Sequence, residues 1–470
     1  MIRLASRFVV AAFGAVILAG PALAQPISAS EQARIDQLVT TTLADTGVPS
    51  ASIALVRDGR IVLARGYGRA SPTIPATRAD LPYQIASNSK QFTAMALLTL
   101  EQEGKLDLDD KVAKWVPGIT DGNRITLRQL LSHTAGLQDY WPQDYAFAAM
   151  NRAISPQEII DRWAKKPLDY APGTRWQYSN TGYVVAGLVV EKAAGQSLMA
   201  YLQQRIFAPL GMRPVNIDDS NTPAFPAGHT RYALGPVRLA TPPGRGWLYA
   251  AGELSMTATD LAKWDIARIN RSLLPADHWA MQEAPVTLPD GTATGYGLGV
   301  SSGTARGRRF INHGGASVGF LSQNTVYPDD RAAVVVLTNG EYSSAISTLT
   351  AGLTEIILPP APPVPIATEP DRSADARALY DGLRQGRLDR TALTANANGY
   401  FTPVALADYR ASLAALGTPT SFVATGAPRL RGGFVNRTYR IEAGGRTLRL
   451  ISYAEPGPSG RWEQYIVMPQ

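Results

Sequence analysis

The spacing of apolar and polar positions changes along this chain, and each change predicts a different kind of element. Between residues 51 and 68, Ser52, Ile53, Leu55 and Val56 lead into Arg57-Asp58-Gly59-Arg60, and Ile61, Val62 and Leu63 lead out. Asp-Gly between two apolar runs predicts a hairpin, because both positions tolerate the positive φ of a two-residue turn. From Gln84 to about residue 270 the period is mostly helical. Phe92, Met95, Ala96, Leu98 and Thr99 make one apolar face, and Gly104 ends it. Further helical patterns cover 126–132, 157–165, 182–194 and 259–270, joined by loops rich in Pro and Gly. Strand character returns in the runs 297–300, 308–312, 321–327 and 332–338, before a closing helix over 342–358. Strands, a helical middle and strands again predict an α/β domain whose single antiparallel sheet is assembled from both of its ends.

The segment 359–370, Pro-Pro-Ala-Pro-Pro-Val-Pro-Ile-Ala-Thr-Glu-Pro, excludes a regular helix or a central strand and predicts a semi-rigid linker. Beyond it, helical patterns near 373–385, 388–396 and 403–416 precede strand-like runs near 420–425, 433–442, 446–453 and 462–468. These describe a small C-terminal α+β domain over 371–470. At the other end, residues 1–24 read as a signal peptide: Arg3 and Arg7, an apolar run from Phe8 to Leu18, then Ala22-Leu23-Ala24 as a cleavage site. The run is shorter than the ~20 residues that span a bilayer, which favours cleavage after Ala24 over an anchor. The mature chain is then expected to be periplasmic or secreted, with its first domain over 25–358.

Composition narrows the chemistry. A length of 470 residues suits two domains, and 45% apolar with 18% charged residues suits a folded protein. The absence of Cys excludes a cysteine nucleophile, a disulfide framework and thiolate metal sites. The net charge of +7 comes mainly from scattered Arg, with no run resembling a nucleic-acid arm. It leaves room for mild attraction to anionic cell-wall surfaces. His133, His229, His278 and His313 stand apart without paired spacing, so neither a zinc site nor another cofactor is expected.

Three short motifs carry candidate chemistry. Of eight Lys, only Lys90 has a Ser three residues before it, and Ser87 falls where a strand-like run gives way to a helix. That spacing puts the two side chains on one helical face, beside the free N–H groups of the helix start. For Lys90 to act as a base, its pKa must fall from about 10.4 to near 7, which takes about 5 kcal/mol and a dry pocket. Tyr178-Ser179-Asn180 is the one Tyr-x-Asn among nineteen Tyr; in an extended segment, Tyr178 and Asn180 project to the same side. His313-Gly314-Gly315 is the one His-x-Gly, and its glycines would let the backbone approach a ligand and aim the Ala316 amide at an oxyanion. Each motif alone has a plainer reading: an N-cap Ser with a surface Lys, a turn, and a Gly-rich strand entry with a surface His.

Together and in this order, the motifs resemble those of the penicillin-binding, β-lactamase-like serine hydrolases. Leu130-Leu131-Ser132-His133-Thr134-Ala135-Gly136-Leu137, Pro172-Gly173-Thr174, Gly182-Tyr183 and Val334-Val335-Val336-Leu337-Thr338-Asn339 are similar to the surroundings of that family's motifs. The resemblance covers about residues 30–358 and leaves out the C-terminal domain. It implies that Ser87 is acylated, that Lys90 helps deprotonate it, and that Tyr178 relays the proton to the leaving group. It also implies that Asn180 holds the acyl-side amide and that the amides of Ser87 and Ala316 form an oxyanion hole. Penicillin-recognising members carry Lys at the position of His313. The His-Gly-Gly form looks more like the esterase and D-aminopeptidase branches, which ranks β-lactam hydrolysis second.

A G-x-S-x-G match at Gly315-Ala316-Ser317-Val318-Gly319 would make Ser317 a nucleophile, but strand rather than helix is expected after it and no His follows His313. The expectation is an exported, metal-free serine hydrolase of small esters or D-amino-acid peptides. The alternatives are a β-lactamase and a catalytically inactive cell-wall-binding protein.

Overall fold

A computed structural model describes residues 26–143, 146–231, 236–358, 370–431 and 434–469. The signal peptide expected over 1–24 and all of the expected linker except Pro370 lie outside the described residues. The chain divides into two compact units, residues 1–362 and 363–470.

In the first unit, β1 (Ser50–Arg57) and β2 (Arg60–Gly68) form the expected hairpin. Asp58 and Gly59 hold φ of 53° and 72°, as a two-residue turn between twisted strands requires. Four later strands complete the sheet: β3 (Ser301–Ala305), β4 (Arg308–Ser317), β5 (Phe320–Tyr327) and β6 (Ala332–Thr338). The order is β2-β1-β6-β5-β4-β3, antiparallel throughout, so strands from the two ends of the unit meet at β1 and β6.

Those two central strands are apolar on both faces because both faces are covered. Ala51, Ile53, Leu55, Val334 and Val336 pack with Ile35 and Val39 of α1 (Ala29–Thr46). Leu349 and Leu353 of the closing helix join the same cluster. The alternate residues Ala54, Val56, Ala333, Val335 and Leu337 belong to the larger core under the helical layer. That layer includes α2 (Lys90–Gln102), α3 (Asn180–Ala194) and α4 (Ala258–Ile269), and α5 (Ala345–Ile357) closes the unit against α1. Burying each Val, Leu or Ile contributes about 1.5–3 kcal/mol.

Three local expectations need correction. Helix α2 is buried all round rather than on one face, and its polar members are bonded: the Thr93 hydroxyl donates to the Ala250 carbonyl at 2.8 Å. Residues 297–300 form no strand; Gly299 has a φ of 76°, and a side chain at Gly297 would meet the Gln282 carbonyl. Asn180 does not continue an extended run, because it opens α3 with Ser179 as its N-cap.

The second unit holds α6 (Ser373–Arg384), α7 (Pro403–Ala414) and an antiparallel sheet of β7 (Ser421–Ala424), β9 (Phe434–Ala443), β10 (Arg446–Ala454) and β11 (Trp462–Pro469) in that order. A short strand, β8 (Arg429–Arg431), also pairs with β9 and was not expected from the sequence. The helical pattern at 388–396 resolves into a single turn at Arg390–Ala392 and a short helix at Ala395–Tyr400. Tyr380, Phe401, Tyr439, Leu450, Trp462 and Tyr465 form the core of this unit.

Candidate active site

Ser87 sits in a single turn of 3-10 helix, Ala86–Ser89, that runs into α2. From Tyr83 to Leu100 every residue is buried except Ser87, which is partly exposed. The turn is therefore anchored on all sides and presents one hydroxyl to a cleft of about 1390 Å³. Ala86 holds a φ of 46°, a left-handed conformation that a non-glycine residue adopts only when its surroundings impose it.

Lys90, one helical turn on, is fully buried. Its Nζ reaches the Ser87 Oγ at 3.1 Å, the Asn180 Oδ1 at 2.8 Å and the Ala251 carbonyl at 2.6 Å. Burial lowers its pKa to about 7, while the charge of Asp139 opposes that fall. The dry environment that the sequence demanded is in place. A neutral amine has two N–H donors and one lone pair. The carboxamide and carbonyl oxygens can only accept, so they take the two N–H groups and leave the lone pair for the Ser87 O–H. With Lys90 neutral, this geometry lets its lone pair accept a hydrogen bond from the Ser87 hydroxyl.

Tyr178 lines the cleft beside this pair, its ring 4.9 Å from the Lys90 Nζ. Burial holds its phenol well above the ordinary range, and a hydrogen bond with Ser87 partly offsets this. His133 clamps the same segment. Its carbonyl accepts from the N–H of Gln177 at 3.0 Å, its Nδ1 accepts from the N–H of Ser179 at 3.1 Å, and its ring centre lies 4.2 Å from that of Tyr178. Burial, with Lys90 nearby, keeps His133 neutral, its pKa well below the usual imidazole value.

His313, Gly314, Gly315 and Ala316 all line the cleft from β4. Strand β3 pairs only with Arg308–Asn312, so one edge of 313–317 is left to face Ser87. At Gly315 the approach is closest: a Cβ would lie 2.0 Å from the Ile85 carbonyl and 2.5 Å from the Ser322 hydroxyl. Asn88 Nδ2 donates to Ser322 Oγ at 2.7 Å, and Ser322 Oγ donates to the Ile85 carbonyl at 2.7 Å. These bonds tie the Ser87 turn to β5, whose Ser322 pairs with Gly315 next to the Ala316 amide on β4. His313 is held differently from a cationic substrate binder. Its Nδ1 donates to the Gly314 carbonyl at 2.5 Å, so its Nε2 accepts from the Tyr296 hydroxyl at 2.8 Å. Burial lowers its pKa to about 3, and it stays neutral. Ser317, the alternative nucleophile, is buried at the end of β4 and donates to Gln84 Oε1 at 2.9 Å.

All eight residues singled out by sequence therefore converge. Three contributors went unnoticed there: Tyr296, the Ala251 carbonyl, and Asp139, whose carboxylate holds Asn180. Tyr296 opens Tyr-Gly-Leu-Gly, whose glycines read as a bend rather than the strand assigned, and Asp139 lies just past the Ser132-His133-Thr134 loop. A backbone carbonyl such as that of Ala251 leaves no trace in sequence. Among the described residues no group of three His, Asp or Glu could hold a metal ion.

The family model described as Beta-lactamase matches residues 35–354, well over half of the chain. The chain belongs to the beta-lactamase family. Within that family it is 28% identical over 324 residues to penicillin-binding protein 4* of Bacillus subtilis (strain 168), covering 65% of this chain and 71% of that one. It is 27% identical over 328 residues to Protein flp of Staphylococcus aureus (strain N315), a match that takes in 66% of this chain and spans only 63% of the relative's length. Among solved structures, a D-stereospecific amidohydrolase from Streptomyces sp. aligns with a TM-score of 0.58 at 28% identity, covering 68% of this chain and 98% of that one. An octameric penicillin-binding protein homologue from Pyrococcus abyssi aligns with a TM-score of 0.61 over 93% of this chain and 99% of its own. At 20% identity, that second likeness concerns the fold alone.

Proposed function

We propose that this protein is an exported serine hydrolase that cleaves an amide or ester through an acyl-enzyme on Ser87, with D-amino-acid amides or peptides as its foremost substrates. The observation that carries this is the Lys90 amine, buried and bonded to two obligate acceptors so that its lone pair meets Ser87. Lys90 takes the hydroxyl proton as Oγ attacks the carbonyl carbon. The oxyanion is received by the amides of Ser87 and Ala316, where losing one donor typically costs about 3–4 kcal/mol. Tyr178 passes a proton to the departing nitrogen or oxygen, and water then releases the acyl group. Asn180 and the edge of β4 hold the substrate on either side of the scissile bond.

The amide preference draws on the likeness to the Streptomyces amidohydrolase. The neutral state of His313 bears on a different choice: it offers no cation for the carboxylate of a β-lactam and so ranks that substrate lower. Leu239, Leu248 and Leu321 give the cleft an apolar wall suited to a hydrophobic side chain. Export is proposed from the pattern of the first 24 residues.

A fluorophosphonate probe should label Ser87 in the wild-type protein and leave Ser87→Ala unlabelled. A panel of D-amino-acid anilides, D-Ala-D-Ala peptides, p-nitrophenyl esters and a chromogenic cephalosporin ranks the substrates. The D-amino-acid anilides should turn over fastest and the cephalosporin slowest; the reverse order overturns the proposed specificity.

A further inference from the structure

The roles given to Ser87, Lys90, Tyr178 and Asn180 leave the Asp139 carboxylate on the cleft wall unused. Asp139 Oδ1 accepts from the backbone N–H of Trp141 at 3.2 Å, the backbone N–H of Asn180 at 3.1 Å and the Asn180 Nδ2 at 3.2 Å. The Nδ2 also lies 3.3 Å from Oδ2. Asn180 in turn offers its Oδ1 to Lys90 at 2.8 Å. A carboxamide between a donor and an acceptor has one satisfactory orientation. Flipped, it would set Nδ2 against the Lys90 amine and Oδ1 against the carboxylate.

The other groups around Lys90 carry no charge. Tyr178 and Tyr183 face it with ring centres at 4.9 and 5.3 Å, and burial keeps both phenols protonated. His133 and His313 are kept neutral by burial as well. Ser87, Asn180 and the Ala251 carbonyl complete the shell. Among the described residues facing Lys90, Asp139 is the one able to balance a positive charge.

We propose that Asp139 is a positioning residue that locks the Asn180 carboxamide and supplies the countercharge when Lys90 takes the proton of Ser87. This rests on the reading of Ser87 and Lys90 given above. Asp139 never touches the reacting atoms; it acts through Asn180 and through its field. Its carboxylate opposes the effect of burial on Lys90, so removing the charge lets Lys90 lose its proton at lower pH.

The test follows the rate at which a fluorophosphonate labels Ser87 as a function of pH, on the full-length protein, with thermal unfolding measured alongside. In wild type the rate should rise with pH through about 7 as Lys90 becomes neutral. In Asp139→Asn that limb should move to lower pH by roughly one unit. Asp139→Glu keeps the charge, and its limb should stay near that of wild type even where the rate is lower. Should the Asn variant fail to fold, Asp139→Ser removes the same charge with a smaller side chain and reads the same limb. A limb that stays in place in the charge-removing variants, with the rate lowered equally at every pH, would leave Asp139 a structural role only and overturn the proposal. A wild-type protein as inert as Ser87→Ala would overturn the Ser87 reading itself and the proposal with it, an outcome distinct from an unmoved limb.

Discussion

Asp265 on α4 is fully buried, with its Oδ1 accepting from Asn324 Nδ2 at 2.8 Å and its Oδ2 without a partner. Burial raises its pKa to about 7, and the Asn324 bond and the nearby Arg268 only partly counter this. In the unfolded chain the same carboxyl ionises near 3.9. Between those values the unfolded state binds fewer protons than the folded one, so stability falls as pH rises from about 4 to about 7. Full stability from this group belongs to the acidic side. Asp265→Asn is isosteric with the neutral acid and does not titrate. Chemical denaturation from pH 4 to pH 8 should show a decline in wild type that is shallower in the variant, by a few kcal/mol over the window. The variant should be the more stable of the two at pH 8. Parallel declines in both would mean that Asp265 is ionised in the folded protein.

At the scale of elements, the site depends on β4 approaching the Ser87 turn more closely than any side chain permits. Gly315→Ala would place a methyl carbon 2.0 Å from the Ile85 carbonyl, a backbone atom that cannot swing aside. Strand and turn must separate, which should cost about 1–3 kcal/mol in stability. The Ala316 amide moves with the strand, so the labelling rate of Ser87 should drop by about a hundredfold or more. Gly314→Ala is the contrast: its Cβ would meet the Gln323 side chain at 3.2 Å, and its unfolding temperature should stay near wild type. Thermal unfolding with probe labelling checks both, and a Gly315→Ala variant labelled at the wild-type rate would sink the argument. How far this was legible follows from what each element needs. The Asp58-Gly59 hairpin and the apolar run 332–337 of β6 are local patterns, so their residues announce them. The glycines of His313-Gly314-Gly315 announce a close approach but not its partner, because Ile85 and Ser322 reach it only through the fold. Asp139 and Tyr296 were missed for the same reason: a lone acid or phenol gains meaning from the Asn180 or His313 it meets, far along the chain.

At the scale of the whole molecule, each unit draws its core from its own residues. The clusters around the six-stranded sheet use residues from Ile35 to Leu358, and the C-terminal cluster those from Ala376 to Tyr465. Every side chain, carbonyl and amide assigned a part in acylation lies between Ser87 and Ala316, and the leucines that wall the cleft and the bonds that brace the Ser87 turn lie between Ile85 and Ser322. The hydrogen bonds that hold Ser87, Lys90, Asn180 and His313 begin and end in the first unit as well. A chain ending at residue 358 keeps the sheet, both flanking helices α1 and α5, and the complete network around Lys90. Calorimetry of the full-length protein should therefore resolve two unfolding transitions, and the shortened chain should retain one of them at a similar temperature. Labelling of Ser87 should proceed at the full-length rate in the shortened protein, because acylation needs only groups that remain. Turnover of long D-amino-acid peptides, compared with that of a small anilide, then isolates any contribution of the C-terminal unit to substrate choice. A shortened chain that unfolds normally yet labels at a tenth of the rate would mean that the C-terminal unit helps to shape the cleft, against the account in which the first unit is catalytically complete.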